Sequence, residues 1–150
     1  MKKDVTADAI KDIEKNFRYI AGIIKQNGRK ILNNYPITSP QFVALQWLSE
    51  EGDLTIGELS NRISLAFSTT TDLVDRMEKN DLVERVRDSK DRRVVRIHLL
   101  DKGRTIIHEV IDKRQDYVGE VLQEFTEEQT DKLNELLTFL HEQMKVVNKK

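Results

Sequence analysis

Basic side chains are concentrated in one short segment of this 150-residue chain. The segment runs from residue 85 to residue 96, and its basic members are Arg85, Arg87, Lys90, Arg92, Arg93 and Arg96. Asp88 and Asp91 are its acidic members, so its local net charge is +4, whereas the whole chain has −1. Concentrated positive charge attracts the phosphates of nucleic acids. Charged hairpin tips also occur as plain solvated turns, so the segment alone leaves both interpretations open.

A run of four hydroxyl side chains, Ser68, Thr69, Thr70 and Thr71, precedes a helical pattern. Hydroxyls hydrogen-bond bases and phosphates, and they also accept from free backbone N–H groups at a helix start. Three consecutive threonines are poor helix formers because their branched side chains have restricted rotation. Local helix propensity therefore does not explain the run, whereas a surface that needs outward-facing hydrogen-bonding groups does.

Two short helices separated by a tight turn are predicted to position these groups. The apolar residues with helical spacing are Ile56, Leu59 and Ile63 in the first helix and Leu73, Val74 and Met77 in the second. Residues 64–66 between them are too few for anything but a turn. Residues 82–87 and 94–99 have strand patterns and are joined by the charged residues 88–93, which predicts a hairpin, or wing.

The same region resembles the MarR family of winged helix-turn-helix transcriptional regulators. Residues 59–85, LSNRISLAFSTTTDLVDRMEKNDLVER, are similar to the family's helix-turn-helix, and DSKDRR at residues 88–93 is similar to its wing signature. Four residues depart from the family pattern. Asp81 stands where a helix-ending glycine is usual, Ala66 and Phe67 where polar residues are common, and Asp72 where a basic residue is common.

The resemblance implies a homodimeric repressor that binds a pseudo-palindromic operator in double-stranded DNA and is released by a small-molecule effector. The second helix would enter the major groove and the wing the flanking minor groove. The expected DNA-binding residues are Ser68, Thr69, Thr70, Thr71 and Arg76 on the helix and Lys90, Arg92 and Arg93 on the wing. The resemblance also implies that Asp91 orients a wing arginine through an ion pair.

Amphipathic helical patterns flank this region at residues 8–34 and 102–147. A winged lobe at residues 38–100 is too small to cover both apolar stripes. They either form an internal helical core or, as the resemblance implies, pack against a second copy of the chain. We therefore predict a mainly α protein with a small β-hairpin wing (α+β), in which residues 1–150 form one MarR-type protomer with terminal dimerisation helices.

An effector pocket is not identifiable from the pattern alone. Members of the family often bind small aromatic or lipophilic compounds between the dimer helices and the winged domain. Residues of this chain with suitable side chains are Phe17, Ile20, Ile24, Phe42, Trp47 and Tyr117. The same residues are also expected in the core, so either role is open.

Catalysis, cofactors and membrane insertion find little support in the sequence. The chain has no cysteine, which excludes disulfides and thiol-based sensing. His98, His108 and His141 lack the spacing of a catalytic or metal motif, although a site combining His108 with carboxylates stays open. No apolar run approaches the roughly 20 residues that cross a bilayer, and no signal peptide follows Met1. We expect a cytoplasmic, non-enzymatic protein without a cofactor.

A protein-interaction module built on the same winged fold is the alternative function. The weak total charge and the apolar Phe67 at a position that would face DNA favour it, whereas the +4 charge of the wing segment disfavours it. Salt dependence separates the two, because phosphate contacts weaken with salt and an apolar protein contact responds little.

Overall fold

The computed structural model describes residues 5–149, and these residues form six α-helices and three strands. The elements in chain order are α1 (Ala7–Leu32), α2 (Ser39–Glu51), β1 (Leu54–Thr55), α3 (Ile56–Ile63), α4 (Phe67–Lys79), β2 (Val83–Arg87), β3 (Val95–Leu99), α5 (Asp101–Val121), a 3-10 turn (Leu122–Glu124) and α6 (Glu127–Asn148). The chain divides into two compact units, Met1–Lys113 and Arg114–Lys150. The mainly α prediction with a small β element is confirmed.

The three strands form one antiparallel sheet in the order β1-β3-β2. Leu54 pairs with Ile97, Val83 pairs with Leu99 at the open end of the β2–β3 hairpin, and Arg87 pairs with Val95 next to its tip. Residues 88–94 connect the two long strands and form the tip of the wing. The helix-turn-helix of α3 and α4 followed by this hairpin is a winged helix fold, as the order of sequence patterns predicts.

The core of the first unit lies among α2, α3, α4 and the sheet. Its fully buried members include Phe42 and Leu45 of α2, Leu59 of α3, Met77 of α4 and Ile97 of β3. The last turn of α1 and the first part of α5 also contribute buried side chains, namely Leu32, Ile106, Ile107 and Val110. The winged fold thus completes its core with residues from outside 38–100.

The turn between α3 and α4 is set by local backbone chemistry. The Thr55 side chain accepts from the Glu58 N–H, and the Glu58 carboxylate accepts from the Thr55 N–H, which forms a capping box at the start of α3. Ser64 ends the helix in the left-handed region, with φ of 56°. The chain therefore reverses within three residues, and α4 begins at Phe67.

Asp81 ends α4 in the left-handed conformation that glycine adopts without strain. Its φ is 61°, and the Leu82 N–H donates to the Met77 carbonyl across the turn at 3.0 Å. This is the bond of a Schellman helix end, in which an L-residue with a side chain is at a disadvantage.

Replacing Asp81 by glycine is expected to stabilise the protein by about 0.5–1 kcal/mol, because glycine removes the left-handed strain at a small cost in unfolded-state entropy. Urea unfolding at fixed protein concentration measures the change. Asn80→Gly is the control, since Asn80 has φ of −94° and has no such strain to relieve. An equal gain in both variants would contradict the explanation.

The second unit contains the remainder of α5, the 3-10 turn and α6. Thr126 and Gln129 form a capping box that starts α6 at Glu127. α6 has no buried residue, and its exposed apolar side chains include Leu136 (67%), Phe139 (54%) and Val147 (62%). Within residues 5–149, no helix has the length and apolar character that crossing a membrane requires.

Candidate nucleic-acid interface

α4 has one buried face and one exposed face. Thr70, Val74 and Met77 are fully buried against the core. The opposite face exposes Ser68, Thr69, Asp72, Arg76 and Lys79. Because the exposed face carries hydroxyl and charged groups along three turns, it presents a polar surface of the size that a DNA major groove accepts.

Thr70 must be removed from the predicted DNA-binding residues. Its side chain has no exposed surface, and its Oγ1 donates to the Ala66 carbonyl at 3.0 Å. Thr71 is half-buried, and its Oγ1 donates to the Phe67 carbonyl at 3.0 Å. Ser68 and Thr69 are exposed. The run of hydroxyls therefore faces both ways, and only its first two members are fully available to a ligand.

The hydroxyl run does not cap α4. Ala66 is the N-cap residue, and no side chain bonds the free N–H groups of the first turn. The capping interpretation is therefore wrong. The exposed hydroxyls of Ser68 and Thr69 serve no purpose in starting the helix, which leaves them available for intermolecular hydrogen bonds.

Arg85 of β2 holds the wing against α4. Its Nη2 donates to the Asp75 carboxylate and its Nη1 to the Glu78 carboxylate, both at 2.6 Å. The Arg85 N–H also donates to Glu78 at 3.2 Å. Burial lowers the pKa of Arg85, but the two carboxylates together outweigh it, so the pKa is raised. This cluster joins the two elements that the sequence predicts to bind DNA. From the sequence, Arg85 was only one of the basic residues of the wing segment, and its ion pairs were not predicted.

Arg85→Lys is expected to destabilise the fold by about 1 kcal/mol, because one ammonium cannot bridge two carboxylates in fork geometry. The value is small because the Asp75 and Glu78 side chains are 57% and 41% exposed and the ion pairs are screened by water. Urea unfolding measures it. In a double-variant cycle, Glu78→Gln should cost less in an Arg85→Met background than in the wild type; equal costs would exclude coupling.

The wing tip is a hydrogen-bonded turn organised by Asp88. Its carboxylate accepts from the N–H groups of Asp91 and Lys90 at 2.9 and 3.0 Å, and from Arg96 Nη1 at 2.6 Å. These bonds lower the pKa of Asp88, the backbone donors contributing most. The ionised Asp88 therefore stabilises the turn at every pH above the ordinary pKa of a carboxyl group. This stabilisation is lost as the pH falls through the lowered pKa of Asp88.

Asp91 contacts Arg93 in the way that the family resemblance implies for a wing arginine. Arg93 Nε and Nη2 donate to the two oxygens of Asp91 at 3.0 and 3.1 Å, which lowers the pKa of Asp91 and raises that of Arg93. The Arg93 side chain is nevertheless 91% exposed. Its guanidinium is thus held in one orientation while it remains accessible.

Lys90 and Arg92 are exposed, and no carboxylate of the described residues pairs with either side chain. The Arg92 carbonyl accepts from Arg87 Nη1 at 2.9 Å, which fixes the backbone beneath the side chain. The wing segment therefore presents cations of two kinds at its tip. Lys90 and Arg92 are unpaired, whereas Arg93 is oriented by Asp91.

The residues considered for an effector pocket lie in different environments. Phe42 is 1% exposed in the core, and Trp47 packs against the core with partial exposure, so Phe42 is unavailable to a ligand. Phe17, Ile20 and Ile24 are exposed on α1, with 38%, 54% and 60% of their surfaces accessible. Tyr117 is half-buried in the second unit.

His98 pairs with a carboxylate from a distant part of the sequence. His98 Nδ1 lies 2.8 Å from Asp53 Oδ1 and links β3 to the residue before β1. No cluster of three potential metal-binding side chains exists among residues 5–149. The pairing of His98 with Asp53 was not predicted, since 45 residues separate the two in sequence.

These features define the class: a winged helix-turn-helix protein whose α4 has a polar exposed face and whose wing is basic. Comparison with known proteins identifies the family. The MarR family model matches residues 37–95. An uncharacterised HTH-type transcriptional regulator of Bacillus subtilis, YsmB, is 60% identical over 91% of this chain and 93% of its own length. The regulator MgrA of Staphylococcus aureus is 33% identical over 72% of both chains.

A solved structure supports the same assignment. A MarR family protein from Bacillus stearothermophilus superposes with a TM-score of 0.90 and 57% identity, covering 95% of this chain and 99% of that one. The chain belongs to the MarR family of transcriptional regulators, whose members act by binding DNA and are not enzymes.

Proposed function

We propose that this protein is a homodimeric repressor that binds a specific pseudo-palindromic operator and releases it when a small-molecule effector binds. The observation that carries the proposal is the exposed face of α4. Ser68 and Thr69 are exposed there without a capping role, and no carboxylate of the described residues pairs with the exposed Arg76. A helix of this kind fits a major groove, where hydroxyls and arginine bond base edges and phosphates.

The wing supplies the second contact. Lys90, Arg92 and Arg93 would bind the minor groove and its phosphates, with Asp91 holding Arg93 in position before DNA arrives. Thr71 is a secondary candidate because its oxygen remains able to accept a hydrogen bond. A variant of MepR from S. aureus bound to an oligodeoxyribonucleotide has the same fold, with a TM-score of 0.67 and 20% identity.

Homodimerisation is supported by apolar surface at both ends of the chain. α1 exposes Ile10 (55%), Ile13 (48%), Ile20 (54%) and Ile24 (60%), and α6 is amphipathic without a buried residue. Apolar stripes of this length are rarely left to water. In our proposal residues 8–34 and 102–147 form the dimer and 38–100 the DNA-binding lobe. Sedimentation velocity should give a mass twice that of one chain. The Ile20→Glu variant should give a lower mass, because a charge in the apolar stripe of α1 opposes dimerisation.

The effector is proposed to be a small aromatic or lipophilic compound. NadR, solved in complex with 4-hydroxyphenylacetate, has the same fold with a TM-score of 0.64 and 24% identity. A compound can release DNA only if it binds the DNA-incompetent arrangement more tightly than the competent one. The test is an operator-binding titration with and without compounds that raise the melting temperature of the protein.

Selection from a random duplex pool, followed by fluorescence anisotropy at two salt concentrations, tests DNA recognition. We expect enrichment of a pseudo-palindrome with half-site centres about 10 bp apart, and binding that weakens steeply with salt. Absence of any enriched sequence together with salt-insensitive or undetectable binding would overturn the proposal.

The alternative is a winged-helix module that binds another protein. Phe67 favours it, because this large apolar side chain is 62% exposed at the first position of α4. Binding of an apolar protein surface through Phe67 would respond little to salt. The anisotropy experiment therefore distinguishes the two functions directly.

A further inference from the structure

Asp72 occupies the centre of the exposed face of α4. Ser68 and Arg76 lie four residues before and after it and therefore share its stripe, one turn away on each side. The side chains of the buried face, Thr70, Val74 and Met77, lie on the opposite side. A DNA duplex bound to this face of α4 would therefore have a carboxylate at the middle of the contact.

The fold does not account for this carboxylate. Asp72 is exposed, and within the described part of the chain no cation or hydrogen-bond donor pairs with it. It is the sixth residue of α4, beyond the first turn in which a negative charge gains from the helix dipole. Phosphates repel this carboxylate, so it lowers the non-specific affinity for DNA.

Within the major groove, only the base edges offer a carboxylate a favourable contact. A carboxylate only accepts hydrogen bonds, and the donors in that groove are the amino groups of cytosine and adenine. Adenine places the acceptor N7 beside its amino group, guanine presents two acceptors, and thymine presents an acceptor and a methyl group. Cytosine N4 is therefore the best partner.

We propose that Asp72 is a specificity-determining residue that accepts from the N4 amino group of one cytosine in each half-site. The inference rests on the proposed function, since it requires α4 to lie in the major groove. The residue increases the ratio of specific to non-specific binding in two ways. It selects cytosine at one position, and it repels the backbone wherever that cytosine is absent.

The test is the duplex selection repeated with Asp72→Ala and Asp72→Asn, with Glu50→Ala on the exposed surface of α2 as a control of equal charge change. Wild type and control should prefer cytosine at one position per half-site by about tenfold or more. Asp72→Ala should lose that preference and bind scrambled DNA more tightly. Asp72→Asn should shift it to adenine, because an amide both accepts from N6 and donates to N7.

A base analogue tests the same contact atom by atom. Replacing that cytosine by 2-pyrimidinone deletes the N4 amino group, which should weaken wild-type binding more than Asp72→Ala binding. If wild type enriches a motif and both Asp72 variants enrich the same motif with cytosine intact, this inference fails while the proposed function stands. If wild type enriches no motif, the proposed function fails and this inference with it.

Discussion

Alanine at both Arg92 and Arg93 is expected to weaken binding of the protein to its selected duplex by about a hundredfold near physiological salt. Each arginine contact with DNA contributes roughly 1–3 kcal/mol, and each 1.4 kcal/mol is a factor of ten in affinity. Arg92 has no acid partner within residues 5–149, and Arg93 is 91% exposed while Asp91 orients it. Both guanidinium groups are therefore free to enter a minor groove without breaking the fold.

Fluorescence anisotropy at several salt concentrations measures the effect. Two lost contacts should also lower the slope of log affinity against log salt by about two. The melting temperature should remain close to that of the wild type, because both side chains lie on the surface.

Lys132→Ala/Lys145→Ala is the matched control, and sedimentation velocity checks that this variant has the same mass as the wild type. It removes the same total charge from exposed positions on α6, each of which lies beside a glutamate. An equal loss of affinity in this variant would show that the effect of Arg92 and Arg93 comes from net charge and not from contacts of the wing with DNA. Wild-type affinity in the Arg92→Ala/Arg93→Ala variant would show that the wing does not contact DNA.

Gly103→Ala is expected to lower the free energy of unfolding by about 2 kcal/mol. A Cβ at this position would lie 2.6 Å from the Leu82 carbonyl oxygen and 2.8 Å from Leu99 Cδ1. The carbonyl cannot easily move, because it already accepts from the Leu100 N–H at 3.0 Å. Overpacking of this kind costs about 1–3 kcal/mol, which outweighs the gain of up to about 1 kcal/mol from replacing a helical glycine.

Urea unfolding of wild type and variant at the same protein concentration measures this difference. Gly57→Ala is the control, since its Cβ would meet only Thr55 Oγ1 at 3.9 Å, an ordinary contact. That variant should unfold at the same urea concentration as the wild type or at a slightly higher one. A Gly103→Ala protein as stable as the Gly57→Ala protein would show that α5 packs less closely on the wing base than the structure has it.

The sequence by itself determined the elements and their order. Helical spacing in residues 56–77 and β-rich runs on both sides of residues 88–93 predict the winged helix, because burying one face of each element requires those periods. Asp81 marked the end of α4, because it stands where the family has a helix-ending glycine and a short polar residue tolerates the left-handed turn better than most others. The positive charge of the wing segment was also predictable, because it follows from the residue types and does not depend on which residues are in contact.

Only the tertiary structure decided which of these residues face outward and which pairs meet. Ser68 to Thr71 have similar side chains. Only Thr70 is fully buried, because it lies on the same face of α4 as Val74 and Met77, which pack against the core. The pairing of Arg85 with Asp75 and Glu78 joins β2 to α4, and the pairing of His98 with Asp53 joins residues 45 positions apart. The apolar stripe of α4 predicts its buried face, but it does not show that the polar Thr70 lies on that face. The packing of the helix against the core decides which hydroxyls this regulator exposes.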